Sequence, residues 1–219
     1  MKAMVFAAGL GERLRPLTAE LPKALVPVAG RAMIEYPLLL LKRHGITEIV
    51  INVHYRGEKI EQDLGDGKRL GLKISYSREN ELLDTGGGLL AAKRFFQDDA
   101  FMVVNGDVLI DLDVPRLLAA HRRRRAAATL VLRHDLQARK YGAIETSADL
   151  KIRRFLGREA PGTPATDALS LYMFTGVQVL EPTIFRHMER EETSKFSITR
   201  ATYVKMVQEG ADLYGFPYD

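Results

Sequence analysis

The stretch MKAMVFAAGLGERLRPLT, residues 1–18, decides the fold. Ala3 to Ala8 is a continuous apolar run, the pattern of a central strand buried on both faces, and Gly9 closes it. Gly9 and Gly11 let backbone N–H groups approach an anion closely, while Arg13 and Arg15 bring fixed positive charge. After three more residues comes Pro22-Lys23-Ala24-Leu25-Val26-Pro27, a lysine set beside a proline. A strand that runs into a glycine turn with fixed cations is a cradle for phosphates. The plainer alternative is a glycine-rich turn with surface arginines. A dinucleotide fingerprint wants a third glycine where Leu14 stands. It also wants an acidic residue at the end of the second strand, where the chain has Asn52-Val53-His54. A Walker loop lacks its Lys-Ser/Thr pair.

Outward from this stretch the chain alternates strand and helix. Ala32 to His44 reads as a helix capped by Gly45, with Pro37 pushing its start toward Tyr36. Glu48–Val53 is a second buried strand, Gly57–Leu64 a short helix and Leu72–Tyr76 a third strand. Asp84-Thr85 caps a helix through Gly86-Gly87-Gly88 to Phe95. Phe101–Val104 is a fourth strand, Val114–Arg124 a helix and Ala127–Arg133 another strand. This alternation predicts an α/β fold with a mainly parallel sheet and helices on both faces. After Tyr141 the texture changes. Gly142–Glu145, Leu150–Phe155 and Leu171–Leu180 read as strands, and Pro182–Arg190 and Thr199–Glu209 as helices. The expectation is one catalytic domain over 1–219, with a nucleotide half at 1–135 and a second-substrate half at 136–219.

The 219 residues include no cysteine, which excludes disulfides and cysteine metal sites and fits a reducing cytoplasm. No apolar run is long enough to span a bilayer, and Arg13, Arg15 and Lys23 interrupt the start too early for a signal peptide. Net charge is +4, a mild excess suited to anionic small molecules and too slight for a nucleic-acid binder. The run His121 to Arg125 (HRRRR) has no interleaved aromatics and reads as a solvated helix end. The five histidines lack metal-ligand spacing.

Two further constellations carry chemistry. Asn105-Gly106-Asp107 follows a predicted buried strand. Ligands of open α/β sheets bind beyond such strand ends, and an aspartate there is placed to hold Mg²⁺; a plain reverse turn is the alternative. In Glu79 to Gly88 (ENELLDTGGG), glycines let a flat base lie against backbone, and the Glu79 carboxylate offers acceptors to the two adjacent donors of guanine or the one of uracil. The alternative is a glycine-rich helix entry made for close approach of another backbone.

Together these residues resemble the sugar-1-phosphate nucleotidylyltransferases. The signature is Gly9 to Thr18 followed by Pro22 to Pro27, and Leu83 to Gly88 and Asn105 to Val108 are similar to the bacterial mannose-1-phosphate guanylyltransferase and N-acetylmuramate-1-phosphate uridylyltransferase branch. The resemblance implies a Rossmann-like, GT-A-like fold. It also implies transfer of a nucleoside monophosphate from an NTP to a sugar-1-phosphate with release of pyrophosphate, GTP and mannose-1-phosphate being favoured, with Glu79 pointing to guanine. The alternatives are a UTP-dependent N-acetylmuramate- or hexose-1-phosphate uridylyltransferase and a non-catalytic regulator that binds a nucleotide-sugar.

By resemblance Ala7, Ala8, Gly9, Gly11 and Glu12 line the nucleotide, Arg13 holds the leaving phosphates, and Lys23 bridges the α-phosphate and the attacking phosphate. Glu79, Gly86 and Gly87 face the base. Asp107 binds Mg²⁺, and Asn105, Tyr141, Gly142, Arg158, Thr175 and Gly176 form the sugar-phosphate pocket. The partners implied are an NTP and a sugar-1-phosphate, without nucleic acid or membrane, in a cytoplasmic protein open to homo-oligomer formation. Two departures stand out. Gly157-Arg158-Glu159 aligns where the family carries Glu-Lys-Pro. Gly215 to Asp219 aligns just upstream of the family's Asp-x-Gly-Thr, so the second metal ligand is expected to be absent by truncation, or else Asp219.

Overall fold

The computed structural model describes residues 1–135, 137–165 and 168–218, with Tyr141 described by its backbone alone. The apolar run at the start forms β1 (Lys2–Phe6), which ends sooner than its hydrophobicity predicts. The reason is local: the Ala7 N–H leaves the sheet ladder and donates to Asn52 Oδ1 at 2.9 Å. A long loop follows. It holds short helical turns at Glu12–Leu14 and Lys23–Leu25 and a small hairpin, β2 (Pro27–Val28) with β3 (Arg31–Ala32). The Tyr55 hydroxyl and the Arg56 and Lys59 side chains donate to the carbonyls of Ala19 and Glu20, which ties the loop down.

Next come α1 (Glu35–Arg43), β4 (Glu48–Val53), α2 (Gly57–Leu64), β5 (Lys73–Arg78), α3 (Asp84–Ala91), β6 (Phe101–Asn105), α4 (Val114–Arg124) and β7 (Ala128–Arg133). Pro37 sits in the first turn of α1, where its missing N–H costs no helical hydrogen bond. The second half adds α5 (Ala138–Tyr141), β8 (Ala143–Thr146), β9 (Ile152–Phe155), β10 (Arg158–Glu159), β11 (Ser170–Leu180), α6 (Ile184–Met188), α7 (Tyr203–Gln208) and β12 (Leu213–Pro217).

The main sheet runs β10-β9-β8-β11-β6-β1-β4-β5, with β7 paired to β11 and β12. From β5 to β6 the neighbours are parallel. β11 is antiparallel to β6, β7 and β8. The sheet is therefore mixed, parallel from β5 to β6 and stitched to the rest by one long antiparallel strand. Helices cover both faces. Ala3 and Val5 pack with the cores of α1, α2 and α4, whereas Met4 packs with Leu89 of α3, Phe185 of α6 and Met206 of α7. Burial on both sides is why these strands read as unbroken apolar runs.

One expectation is corrected here. His121 does not belong to the solvated basic face. It is 2% exposed, with Nδ1 2.8 Å from Thr129 Oγ1 and Nε2 3.2 Å from Glu181 Oε1. Its alternation with Leu117 and Ala120 places it on the buried stripe of α4, which outranks its charge.

Candidate active site

The parallel strands β1, β4 and β6 all end at one cleft of about 660 Å³. The β1 loop contributes Ala7 to Leu14, β4 contributes Asn52, the entry to α3 contributes Leu82, Asp84 and Thr85, and β6 leads into Asn105-Gly106-Asp107. Strand ends of a parallel sheet leave backbone groups and side chains pointing into such a crevice. Gly11 has φ +67°, and a Cβ there would lie 3.0 Å from Thr18 Cγ2 and 3.1 Å from Lys23 Cβ. The buried Thr18 hydroxyl donates to the Gly11 carbonyl at 2.7 Å. This tight turn folds the loop back so that Arg13 and Lys23 both reach the cleft.

Lys23 Nζ forms an ion pair with Asp107 Oδ2, joining the β1 loop to the end of β6. Both side chains keep part of their surface in solvent, at 28% and 37%. A pair this exposed contributes about 1 kcal/mol or less, so a phosphate can compete for the lysine. Arg13 has no ion-pair or side-chain hydrogen-bond partner among the described residues. No group of three potential metal-binding His, Cys, Asp or Glu side chains occurs among the described residues. Asp107 is the carboxylate beside Asn105 in the cleft; Asp219 lies outside the described residues.

The glycine run packs against another part of the chain. The Gly86 and Gly87 N–H groups donate to the Phe196 carbonyl at 2.8 and 3.2 Å. A Cβ at Gly86 would lie 2.3 Å from the Phe196 ring, and one at Gly87 2.0 Å from the Ser194 carbonyl oxygen. These glycines admit the segment 194–196, the alternative that the sequence offered. Glu79 is also engaged internally. At 6% exposure, its Oε1 accepts from Asn52 Nδ2 at 2.7 Å and its Oε2 from the Leu83 N–H at 3.0 Å. Both carboxylate oxygens are thus held by the chain itself.

The residues expected on the sugar side are dispersed. Gly176 touches the cleft residue Asn105: a Cβ there would lie 2.6 Å from Asn105 Nδ2. Its φ of +89° accompanies a register shift in β11 between Phe174 and Gln178. The Thr175 hydroxyl donates to the Val131 carbonyl at 2.9 Å, and Gly142 lies against Leu156. Arg158 is exposed on β10, the last strand of the sheet, away from the cleft lining. The side chain of Tyr141 lies outside the described residues.

Sequence reading missed Lys195, which lines the cleft and whose side chain has no ion-pair or hydrogen-bond partner among the described residues. Nothing near it in sequence marks it; its position is set by the docking of 194–196 on α3.

A UTP–glucose-1-phosphate uridylyltransferase of Synechocystis is 34% identical over 232 residues, covering all of this chain and 58% of that protein. A mannose-1-phosphate guanylyltransferase of Mycobacterium tuberculosis is 32% identical over 215 residues, covering 98% of this chain and 58% of its own length. An N-acetylmuramate alpha-1-phosphate uridylyltransferase of Neisseria meningitidis is 51% identical over 114 residues, 52% of this chain and 49% of that one. The chain thus spans between about half and three fifths of the length of these curated relatives. A crystal structure from Bacillus anthracis, described as a glucose-1-phosphate thymidylyltransferase with bound sucrose, has the same fold. Its TM-score is 0.82 at 22% identity, covering 100% of this chain and 87% of that one. Residues 2–217 match the nucleotidyl transferase family model, a span that takes in every strand of the sheet and every residue of the cleft, and the chain belongs to that family.

Proposed function

We propose that the protein transfers a nucleoside monophosphate from an NTP to a sugar-1-phosphate. A phosphate oxygen of the sugar-1-phosphate attacks the α-phosphorus of the NTP, the bond from that phosphorus to the bridging oxygen breaks, and pyrophosphate leaves with the electron pair. No protein nucleophile takes part; catalysis consists of positioning and charge neutralisation. The observation that carries this reading is the convergence of Arg13, Lys23 and Asp107 on one cleft at the ends of parallel strands.

In this reading Arg13 neutralises the leaving phosphates. Lys23 exchanges Asp107 for the phosphates on either side of the bond being made. Asp107 is a hard oxygen donor in the cleft, which suits Mg²⁺, and a bound Mg²⁺ would add neutralisation of phosphate charge. Lys195 approaches from the second half of the chain and meets the incoming sugar phosphate. The Glu79 argument for guanine falls away because that carboxylate is engaged, and the 51% identity to a uridylyltransferase over half of the chain favours UTP.

The test is a pyrophosphate-release panel with Mg²⁺. UTP, GTP, dTTP, ATP and CTP are crossed with glucose-, mannose-, N-acetylglucosamine- and N-acetylmuramate-1-phosphate. UTP should give the fastest release. No release from any pair overturns the reading.

A further inference from the structure

A single line of hydrogen bonds crosses beneath the cleft. The Ala7 N–H, in the β1 loop, donates to Asn52 Oδ1 at 2.9 Å, and Asn52 Nδ2 donates to Glu79 Oε1 at 2.7 Å. Glu79 Oε2 accepts from the Leu83 N–H at 3.0 Å. The Leu83 carbonyl in turn accepts from the Phe196 N–H at 3.1 Å, next to Lys195. Four pieces of the cleft wall, carried by β1, β4, the loop after β5 and the 194–196 segment, are thereby held in one network. Asn52 and Glu79 are 3% and 6% exposed, so water does not replace these bonds cheaply.

The backbone around Glu79 is fixed as well. Its N–H donates to the Val53 carbonyl at 2.9 Å, and its own carbonyl accepts from His54 Nδ1 at 2.9 Å. Gly88 then has a reason of its own. A Cβ at this position would lie 2.5 Å from Glu79 Oε1 and 2.9 Å from Asn52 Nδ2, the two atoms of the central bond. Gly88 is buried in α3 and does not line the cleft.

We infer that Asn52 and Glu79, with Gly88 making room for their bond, are positioning residues that set the distance between the phosphate loop and the opposite wall of the nucleotide cleft. This rests on the reading that an NTP occupies the cleft. It differs from base recognition in a measurable way. A residue that reads the base changes affinity for one nucleotide against another. A residue that spaces the walls changes affinity for all of them together.

The experiment measures binding of UTP and GTP by titration calorimetry to the protein and to Glu79→Gln and Gly88→Ala, with melting temperatures to establish folding. In Glu79→Gln one carboxylate oxygen becomes an amide NH₂ facing a donor, so one of the two bonds is lost. In Gly88→Ala the new methyl pushes on the bond without entering the cleft. Both variants should weaken UTP and GTP by the same factor, about tenfold. The UTP-to-GTP ratio should stay within about twofold of the parent. A change in that ratio in Glu79→Gln, or unaltered binding in a folded Gly88→Ala, overturns the proposal. Because the readout is binding, a protein that holds nucleotides but releases no pyrophosphate refutes the transfer reading and leaves this test standing.

Discussion

The two halves of the sheet place functional groups by different means. In the parallel half, β1, β4 and β6 end in the cleft, and the residues that matter follow within a few positions of each strand end: Ala7 to Arg13, Asn52, Asn105 to Asp107. In the antiparallel half, β8, β9 and β10 follow one another outward from β11, and Gly142 and Arg158 are not among the residues that line the cleft. What that half does supply, Lys195, comes from an irregular segment held by backbone hydrogen bonds to α3. Parallel topology turns adjacency to a strand end into adjacency to the ligand. Antiparallel hairpins give no such guarantee.

The comparison can be broken at its strongest point first. Lys23→Ala should lower kcat by about a thousandfold or more in the pyrophosphate-release assay, since it removes a cation from the reacting phosphates. Its melting temperature should hardly move, because the lost ion pair is part-exposed. Gly87→Val tests whether the glycine run serves packing. With Ser194 O 2.0 Å from the added Cβ, the variant should lose roughly 1–3 kcal/mol of stability, read as a lowered melting midpoint. A stable variant that had lost only base selectivity would restore the base-facing role of the glycines.

The next test sets one cation of the second half against another. Lys195→Ala should raise the KM for sugar-1-phosphate about tenfold with little change for the NTP, whereas Arg158→Ala should stay within about twofold in both. The reverse order would mean that β10 folds over the cleft when substrate binds.

The smallest effect concerns the seam between the halves. Burial holds the His121 imidazole below its usual value, outweighing the raising effect of Glu181, while the Arg122 charge adds to the lowering. The unfolded chain therefore takes up a proton at this residue near its ordinary pKa of 6.5, and the folded chain only at lower pH. Stability supported by neutral His121 is full above that value and declines as pH falls through it, by at most about 1.4 kcal/mol per pH unit. Melting curves between pH 7.5 and 5.5 should show this slope, and His121→Gln should flatten it.

Much of this was legible in the chain. The β1 run, the strand–helix alternation and the Asn105-Gly106-Asp107 turn are local patterns, and local patterns survive folding. Asp107 was readable because it follows directly on the end of β6, and Arg13 and Lys23 because they stand in the glycine- and proline-marked loop that β1 runs into. The reason for the three glycines was not readable as a choice, because bringing a base or a backbone close asks for the same absent Cβ. Glu79 looked available because its partners, Asn52 and Leu83, are supplied by tertiary pairing of β4 with β5 and by the turn into α3. Lys195 had no signal at all, since its place depends on Phe196 docking onto Gly86 and Gly87. His121 was misread because a run of arginines hid the helical spacing that buries it.

The long strand β11 has a consequence for how the molecule fails. It is the neighbour that covers β6 on one side, over Val177 to Leu180 against Phe101 to Val104. Proteolysis between β7 and β8, or arrest of synthesis before β11, would leave a chain whose β6 edge is bare. That edge carries Phe101, Met102, Val103 and Val104, a flat apolar template without a charge or proline to discourage pairing with another chain. The first half, though it holds most of the cleft, would thus present an aggregation-prone edge on its own, and that edge is covered only by a strand that is synthesised late.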